Sequence, residues 1–232
     1  MIRAVISRGI LCNSRGRHYF AFVAILRFIH LEQTMDFADS VSLHGQNVSL
    51  VPLRHAHLDD LVEAVKDGEL WTLWYTSVPT PDGLPAEIDR RLALHSQGSM
   101  VPFAVIEKST AAAVGMTTFM NIDAANRRVE IGSTWYRKRV QRSGLNSECK
   151  LLLLTHAFEQ LECIAVEFRT HFFNRQSRAA IERLGARLDG VLRQHQRARN
   201  GTLRDTCVYS ILDREWPAVK ANLTHQLKGP TI

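Results

Sequence analysis

Residues 127–161 constrain the fold of this chain more than any other stretch. A strand pattern over residues 127–136 feeds a polar, basic loop, Arg137-Lys-Arg-Val-Gln-Arg-Ser-Gly144, which opens a helix at about Asn146 that runs to Leu161. The run Leu151-Leu-Leu-Leu154 makes that helix apolar on most faces, so it is expected to be largely buried. A strand that enters a buried helix through a glycine builds an anion cradle. The first helical turn presents unpaired N–H groups, the helix dipole favours negative charge, and Gly144 lets a phosphate approach the backbone closely. Arg137, Lys138, Arg139 and Arg142 set positive charge around it. The same residues also describe a solvated basic loop whose glycine merely serves the turn. Neither the Walker loop spacing nor GxGxxG is present.

The rest of the chain alternates strand and helix patterns. Residues 47–53 alternate as a strand, and residues 57–70 carry Leu58, Leu61, Val62 and Val65 at helical spacing. Residues 87–96 form a second helix candidate. Residues 101–107 and 113–120 read as a hairpin, with 127–136 as the third strand of a meander. Beyond the long helix come a strand over 164–170 and a helix over 174–184 that ends at Gly185. Strands over 191–198 and 203–212 flank Asn200-Gly201, and a closing helix covers 213–223. The order gives a mixed α/β (α+β) fold with a largely antiparallel sheet.

Composition narrows the function. The chain has 232 residues, with 45% hydrophobic and 22% charged residues, which is globular and long enough for a sizeable core. A net charge of +6 and a pI near 9.4 resemble a nucleic-acid signal. Residues 1–34, however, hold five arginines against Glu32 alone, a net +4, so the body carries only +2. Binding to nucleic acid is not expected. No apolar run reaches the ~18 residues of a membrane span, and no membrane partner is expected. Four scattered cysteines without a CxxC pair argue for a reducing, cytoplasmic setting and against a zinc knuckle. The arginine-rich first 34 residues read as an N-terminal extension outside the native fold: a targeting segment, or sequence upstream of a natural start at Met35. Residues 35–232 are then one domain.

Three short motifs, Val129-Glu-Ile-Gly132, Gln141-x-x-Gly144-x-Asn146 and Asn174-x-x-Ser177 leading to Leu184-Gly185-Ala186, resemble the GNAT superfamily of acyl-CoA-dependent N-acetyltransferases. The branch they most resemble is that of the ribosomal-protein N-terminal acetyltransferases, over about residues 41–215. The family's phosphate loop usually carries a second small residue where this chain has Asn146. The resemblance implies helices on both faces of the sheet and acetyl-CoA as co-substrate, with no metal. It implies that Gln141, Arg142, Ser143, Gly144, Leu145 and Asn146 hold the pyrophosphate. Ile131, Gly132, Ser133 and Thr134 would pair with the pantetheine arm, in a gap where this strand splays from the next, and Asn174 would help hold the coenzyme. Trp71, Trp74 and Tyr75 would line the acceptor pocket; core packing at a helix end is the competing reading for the tryptophans.

The proton-handling groups can be read from the residues. Glu130 lies on the strand face opposite Val129 and Ile131, so a half-buried carboxylate there would have a raised pKa and could take a proton from an ammonium. The competing reading pairs it with Arg127 or Arg128. His195 is the alternative base. On the helix of residues 174–184, Ser177 shares a stripe with Ile181 and Leu184 and so points inward, as a candidate acid for the leaving thiolate or as a small packing residue. The family often places a tyrosine where this chain has Ile181. The reading is an N-acetyltransferase acting on a primary amine, either a protein N-terminus or a small amine, as a monomer or homodimer. A non-catalytic acyl-CoA-binding or regulatory module is the alternative.

Overall fold

The computed structural model describes residues 36–228. The N-terminal extension read from the sequence lies outside the described residues. Eight strands form one sheet: β1 (Leu43–His44), β2 (Val48–Pro52), β3 (Met100–Glu107), β4 (Ala112–Asp123), β5 (Arg128–Tyr136), β6 (Ala165–His171), β7 (Arg187–Arg197) and β8 (Leu203–Leu212). Five helices accompany them: α1 (Leu58–Lys66), α2 (Leu84–Ser96), α3 (Leu145–Glu159), α4 (Arg175–Leu184) and α5 (Trp216–Leu227). The sheet order is β1-β2-β3-β4-β5-β6-β8-β7, and every pairing is antiparallel except β5 with β6.

Most boundaries fall within a few residues of the sequence reading. The first helix stops at Lys66 instead of Leu70, because Gly68 turns left-handed at φ +103° and a short 3-10 turn, Leu70–Thr72, follows. The second begins at Leu84, with Pro85 in its first turn, where the missing N–H costs nothing. β7 starts at Arg187, earlier than residue 191, because it pairs with β8 immediately after α4. The closing helix starts at Trp216 after a 3-10 turn, Asp213–Glu215. The two-residue β1 left no pattern to read.

Two apolar layers sandwich the sheet. On one face α3, α4 and α5 pack through Leu153, Leu154, Ile181, Leu184, Val219 and Leu223 onto inward strand residues such as Phe103, Phe119 and Phe168. On the other face α1 and α2 bring Leu61, Val65, Leu84 and Ile88 against Ala104, Met116 and Trp135. Each such fully buried side chain contributes about 1.5–3 kcal/mol of transfer free energy. Cys149, Cys163 and Cys207 are free and buried.

The face each β5 residue serves changes partway along the strand. Val129 and Ile131 belong to the α3 side, yet Tyr136 does too, while Trp135 belongs to the α2 side. The reversal comes from a β-bulge. Gly132 pairs with Thr118 and Trp135 with Met116, so Ser133 and Thr134 together oppose Thr117 alone. Ser133 takes the left-handed conformation at φ +47°.

The N-terminal strands are tied to α3 by a buried carboxylate. Glu148 accepts from the Asn47 N–H at 3.0 Å and from Asn47 Nδ2 at 3.1 Å. A side chain at Gly45 would meet Glu148 Oε1 at 2.2 Å. Glu148→Ala leaves the Asn47 amides without this acceptor and is expected to cost about 1–3 kcal/mol, read as a lower midpoint in urea unfolding.

Candidate active site

β5 and β6 pair only over Arg128–Ala165, Val129–Val166 and Glu130–Glu167. Beyond Glu130 the ladder stops and the strands part, so the β5 edge from Ile131 onward, bulge included, has no strand partner on that side among the described residues. At one end of this opening stands α3. Its N-cap is Gly144 at φ +84°, and no side chain caps the helix. The first-turn amides of Leu145, Asn146 and Ser147 have no intrahelical acceptor. The loop before it is braced by Gln141 Nε2 donating to the Tyr136 carbonyl at 3.0 Å and Ser143 Oγ donating to the Val140 carbonyl at 2.6 Å. These residues fit a diphosphate: uncapped donors at a helix N-terminus, reached through a glycine.

The cationic collar differs from the sequence reading. Arg139 forms a bidentate pair with Glu107 at 2.9 and 2.5 Å, and Arg137 Nε meets Asp67 Oδ2 at 3.1 Å. Both carboxyls are held below their usual range by these contacts, Asp67 chiefly by the Arg139 backbone N–H and Glu107 chiefly by the Arg139 side chain. Of the four loop cations, Lys138 and Arg142 make no ion pair among the described residues.

Glu130 is more buried than half; it is 5% exposed. Burial raises its pKa, against the lowering effects of Asn121 and Arg169. Asn121 Nδ2 donates to Oε2 at 2.7 Å, and Arg169 Nε lies 3.5 Å from the same oxygen. A second bulge, on β4 where Asn121 sits at φ +48°, aims this amide. Pairing with Arg127 or Arg128 is ruled out, because those arginines bind Glu162 and Glu167. Gly132 leaves the room the carboxylate needs: a Cβ there would meet Glu130 Oε1 at 2.9 Å and Met120 Sδ at 2.7 Å.

His195, on β7, contacts Thr206 Oγ1 at 3.1 Å, and Arg204 Nε donates to the same hydroxyl at 3.1 Å. Arg204 in turn acts on the Glu130 charge. Both candidate bases therefore share one face of the sheet. A cavity of about 130 Å³ beside Glu130 and Asn121 shares Arg128, Glu167 and Arg169 as walls with a groove of about 460 Å³ that runs past Asp189, Leu192 and Ser210.

Across the sheet, Ser177 is half-buried on α4 beside Ile181 and Leu184. Asn174 is that helix's N-cap, and its Oδ1 accepts from the Ser177 N–H at 3.0 Å. The asparagine's acceptor thus serves the helix, while its Nδ2 has no partner among the described residues. Trp71 packs against the α1–α2 core. Trp74 is 49% exposed and stands edge-on to His171, ring centroids 5.0 Å apart, with Tyr75 and Phe173 beside it.

His171 went unread in the sequence. Its Nδ1 accepts the Phe173 N–H at 3.1 Å, so the neutral ring carries its proton on Nε2. That Nε2 is buried without a partner among the described residues. Burial, and then Arg204, lower its pKa against Asp205, which keeps the ring neutral near pH 7. The only signal was its place in the aromatic turn His171-Phe-Phe-Asn174.

Residues 47–187 match the model of the acetyltransferase (GNAT) domain. The chain belongs to the GNAT family. Among curated relatives, it is 37% identical over 106 residues to YdaF of Bacillus subtilis, provisionally named a ribosomal N-acetyltransferase. That match covers 46% of this chain and 57% of YdaF, so the chain spans little more than half of that relative. A GCN5-related N-acetyltransferase from Brucella melitensis has the same GNAT fold, with a TM-score of 0.75 and 31% identity over 82% of this chain and 86% of that one. Mycobacterium smegmatis RimJ, solved with CoA-disulfide, shares the fold at a TM-score of 0.68 and 20% identity, over 82% of this chain and 96% of its own. Among the described residues no helix is long and apolar enough to cross a membrane, and no cluster has the makings of a metal site.

The uncapped helix and the spent arginines make separable expectations. Gly144→Val forces a β-branched residue into the left-handed region, at ~1–2 kcal/mol, or reshapes the cradle to escape it. Acetyl-CoA affinity, measured by calorimetry, is expected to fall more than about tenfold (~1.4 kcal/mol). Arg139→Ala removes a side chain engaged by Glu107 and is expected to leave affinity within about threefold, in keeping with the ~0.2–1 kcal/mol of an exposed ion contact.

Proposed function

We propose that this chain is an N-acetyltransferase that moves the acetyl group of acetyl-CoA to the α-amine of a protein N-terminus. The observation that carries the reading is the parting of β5 and β6 just after Glu130, with the uncapped α3 at one end of the gap. Residues 141–146 would hold the pyrophosphate, and the free β5 edge at Ile131–Thr134 the pantetheine amides. On the acceptor side, the groove over β6, β8 and β7, lined by both polar and apolar side chains, has room for an extended peptide. Exposed Trp74 and Phe173 offer apolar purchase. A cytoplasmic setting and a domain starting at Met35 belong to the same reading. YdaF's provisional name supports a ribosomal protein as the acceptor.

In this mechanism Glu130, directly or through water, takes the proton from the acceptor ammonium, and the neutral amine attacks the thioester carbonyl. A tetrahedral intermediate forms, its oxyanion met by strand N–H groups. The carbon–sulfur bond then breaks, and Ser177 Oγ gives its proton to the departing thiolate. Buried Ile181 supplies no hydroxyl at the family's usual acid position, an observation that favours the second reading, a non-catalytic acyl-CoA-binding module.

Thiol release from acetyl-CoA with N-terminal peptides and small amines as acceptors tests both readings. Release with peptides supports the enzyme, tight binding without release supports the module, and release with small amines alone overturns the peptide acceptor. The chain from Met35 onward is expected to bind acetyl-CoA as the full chain does. A folded truncation that loses binding would sink that boundary. Because burial raises the Glu130 pKa, turnover is expected to rise with pH through that raised value as the carboxylate ionises. Glu130→Gln should remove this acid limb and lower kcat by about 10²–10⁴-fold, with acetyl-CoA affinity unchanged. Ser177→Ala should cost less with an acyl donor of more acidic thiol. If Glu130→Gln keeps full turnover while His195→Ala abolishes it, the base is His195.

A further inference from the structure

The apolar run of α3 places one cation where none is expected. Lys150 lies in Cys149-Lys-Leu-Leu-Leu-Leu154, is 6% exposed, and makes no ion pair among the described residues. Its ammonium has three donors, and among the described residues it donates to Thr134 Oγ1 at 3.1 Å. An ammonium so nearly unpartnered is costly to bury, and a folded chain keeps one only where something offsets it.

Thr134 is the second residue of the β5 bulge. Its Oγ1 lies 2.7 Å from Thr117 Oγ1 and 3.3 Å from the Gly132 carbonyl. That carbonyl also accepts from Thr118 Oγ1 on β4 at 2.8 Å. A trans peptide points its N–H opposite to its carbonyl. With the Gly132 oxygen held towards β4, the Ser133 N–H turns towards the edge that β6 leaves open. From the other face, buried Arg91 on α2 donates from Nη2 to the Ser133 carbonyl at 2.9 Å and is anchored by Glu87 at 2.7 Å. The bulge is thus gripped from both faces of the sheet by cations.

We propose that Lys150 is a positioning residue for acetyl transfer: bonded to Thr134, it holds the β5 bulge so that the Ser133 N–H faces the opening, and its unneutralised charge favours the oxyanion formed there. The proposal rests on the acetyl-transfer reading above. The titratable groups on the elements packed around Lys150 leave its charge uncompensated. Burial pushes the Cys149 thiol up to about 12 and the Tyr136 hydroxyl well above its ordinary range, so both stay neutral. Glu148 is turned to Asn47, Glu87 is taken by Arg90 and Arg91, and burial lowers the His156 pKa. Burial lowers the Lys150 pKa itself to about 8. The ammonium is therefore charged below about pH 8 and lost above it, and kcat should decline as pH rises through that value.

The test is the pH dependence of kcat for the full chain with acetyl-CoA and a peptide acceptor, with a thermal melt of each variant. Lys150→Met keeps the length and removes both charge and donor. Its kcat is expected to fall at least about tenfold, short of the ~10²–10³ for a group that touches the oxyanion. KM for acetyl-CoA should stay within about twofold, and the alkaline decline should vanish. Thr134→Val removes the acceptor and leaves the cation, so the alkaline decline should move to lower pH; this variant decides the matter if Lys150→Met does not fold. An alkaline decline that persists in Lys150→Met, or stays put in Thr134→Val, overturns the proposal, as does a change in KM with kcat intact. A wild-type chain that releases no thiol with any acceptor brings down the acetyl-transfer reading and this proposal together. An active wild type with an indifferent Lys150→Met removes this proposal alone.

Discussion

One left-handed residue, Ser133, sets the terms for the rest of the site. By adding a residue to β5 opposite Thr117, it reverses which face the strand's last residues serve. Glu130 and Gly132 lie on the α2 face, while Thr134 and Tyr136 reach the α3 face. Without that reversal Thr134 could not meet Lys150, nor Trp135 close the α1–α2 core. The bulge also coincides with the stretch where β5 has lost β6, so the extra residue sits at an edge free to bend. Non-glycine residues enter this conformation at a cost of roughly 1–2 kcal/mol, and the hydrogen bonds from Arg91, Thr118 and Lys150 offset it.

Electrostatics around the opening follow from burial as much as from partners. Glu130 has an amide and a guanidinium beside it, yet its pKa rises because desolvation outweighs both. Lys150 shifts the other way for the same reason. A carboxylate raised and an ammonium lowered, on opposite faces of one strand, bring two groups of opposite charge closer to neutral pH. Such convergence is what proton-transfer chemistry requires.

Much of this was legible in the sequence, where local pattern dictates local structure. The strand-loop-helix junction, the Gly144 entry and the Gly185 stop each follow from backbone demands that few residue types meet, and each fell where expected. Glu130 was legible because strand alternation fixed its face. What the sequence withheld depends on long-range pairing. That Arg137 and Arg139 are engaged by Asp67 and Glu107 requires knowing that α1 ends, and β3 runs, beside the loop. That His171 keeps a buried, unsatisfied donor requires the turn that lends Nδ1 the Phe173 N–H. Lys150 left a faint trace, a single cation in an apolar run. Its meaning appeared only with the bulge opposite it.

The engaged arginines bear on how the chain treats polyanions in general. A pI near 9.4 is the usual mark of a chain that attracts nucleic acid, although residues 1–34 carry most of the excess charge here. A nucleic-acid backbone is gripped by many independent cations, each releasing a counterion, and that grip weakens steeply with salt. Here two of the four loop cations already neutralise carboxylates of their own chain, and what remains at the α3 N-terminus is a row of oriented amides with Lys138 and Arg142. Amides bind through direction and short reach, and they release no counterions. The loop is therefore built to favour a compact diphosphate over a long phosphate chain, and its hold on such a ligand should change little across the ionic strengths that strip a basic protein from RNA.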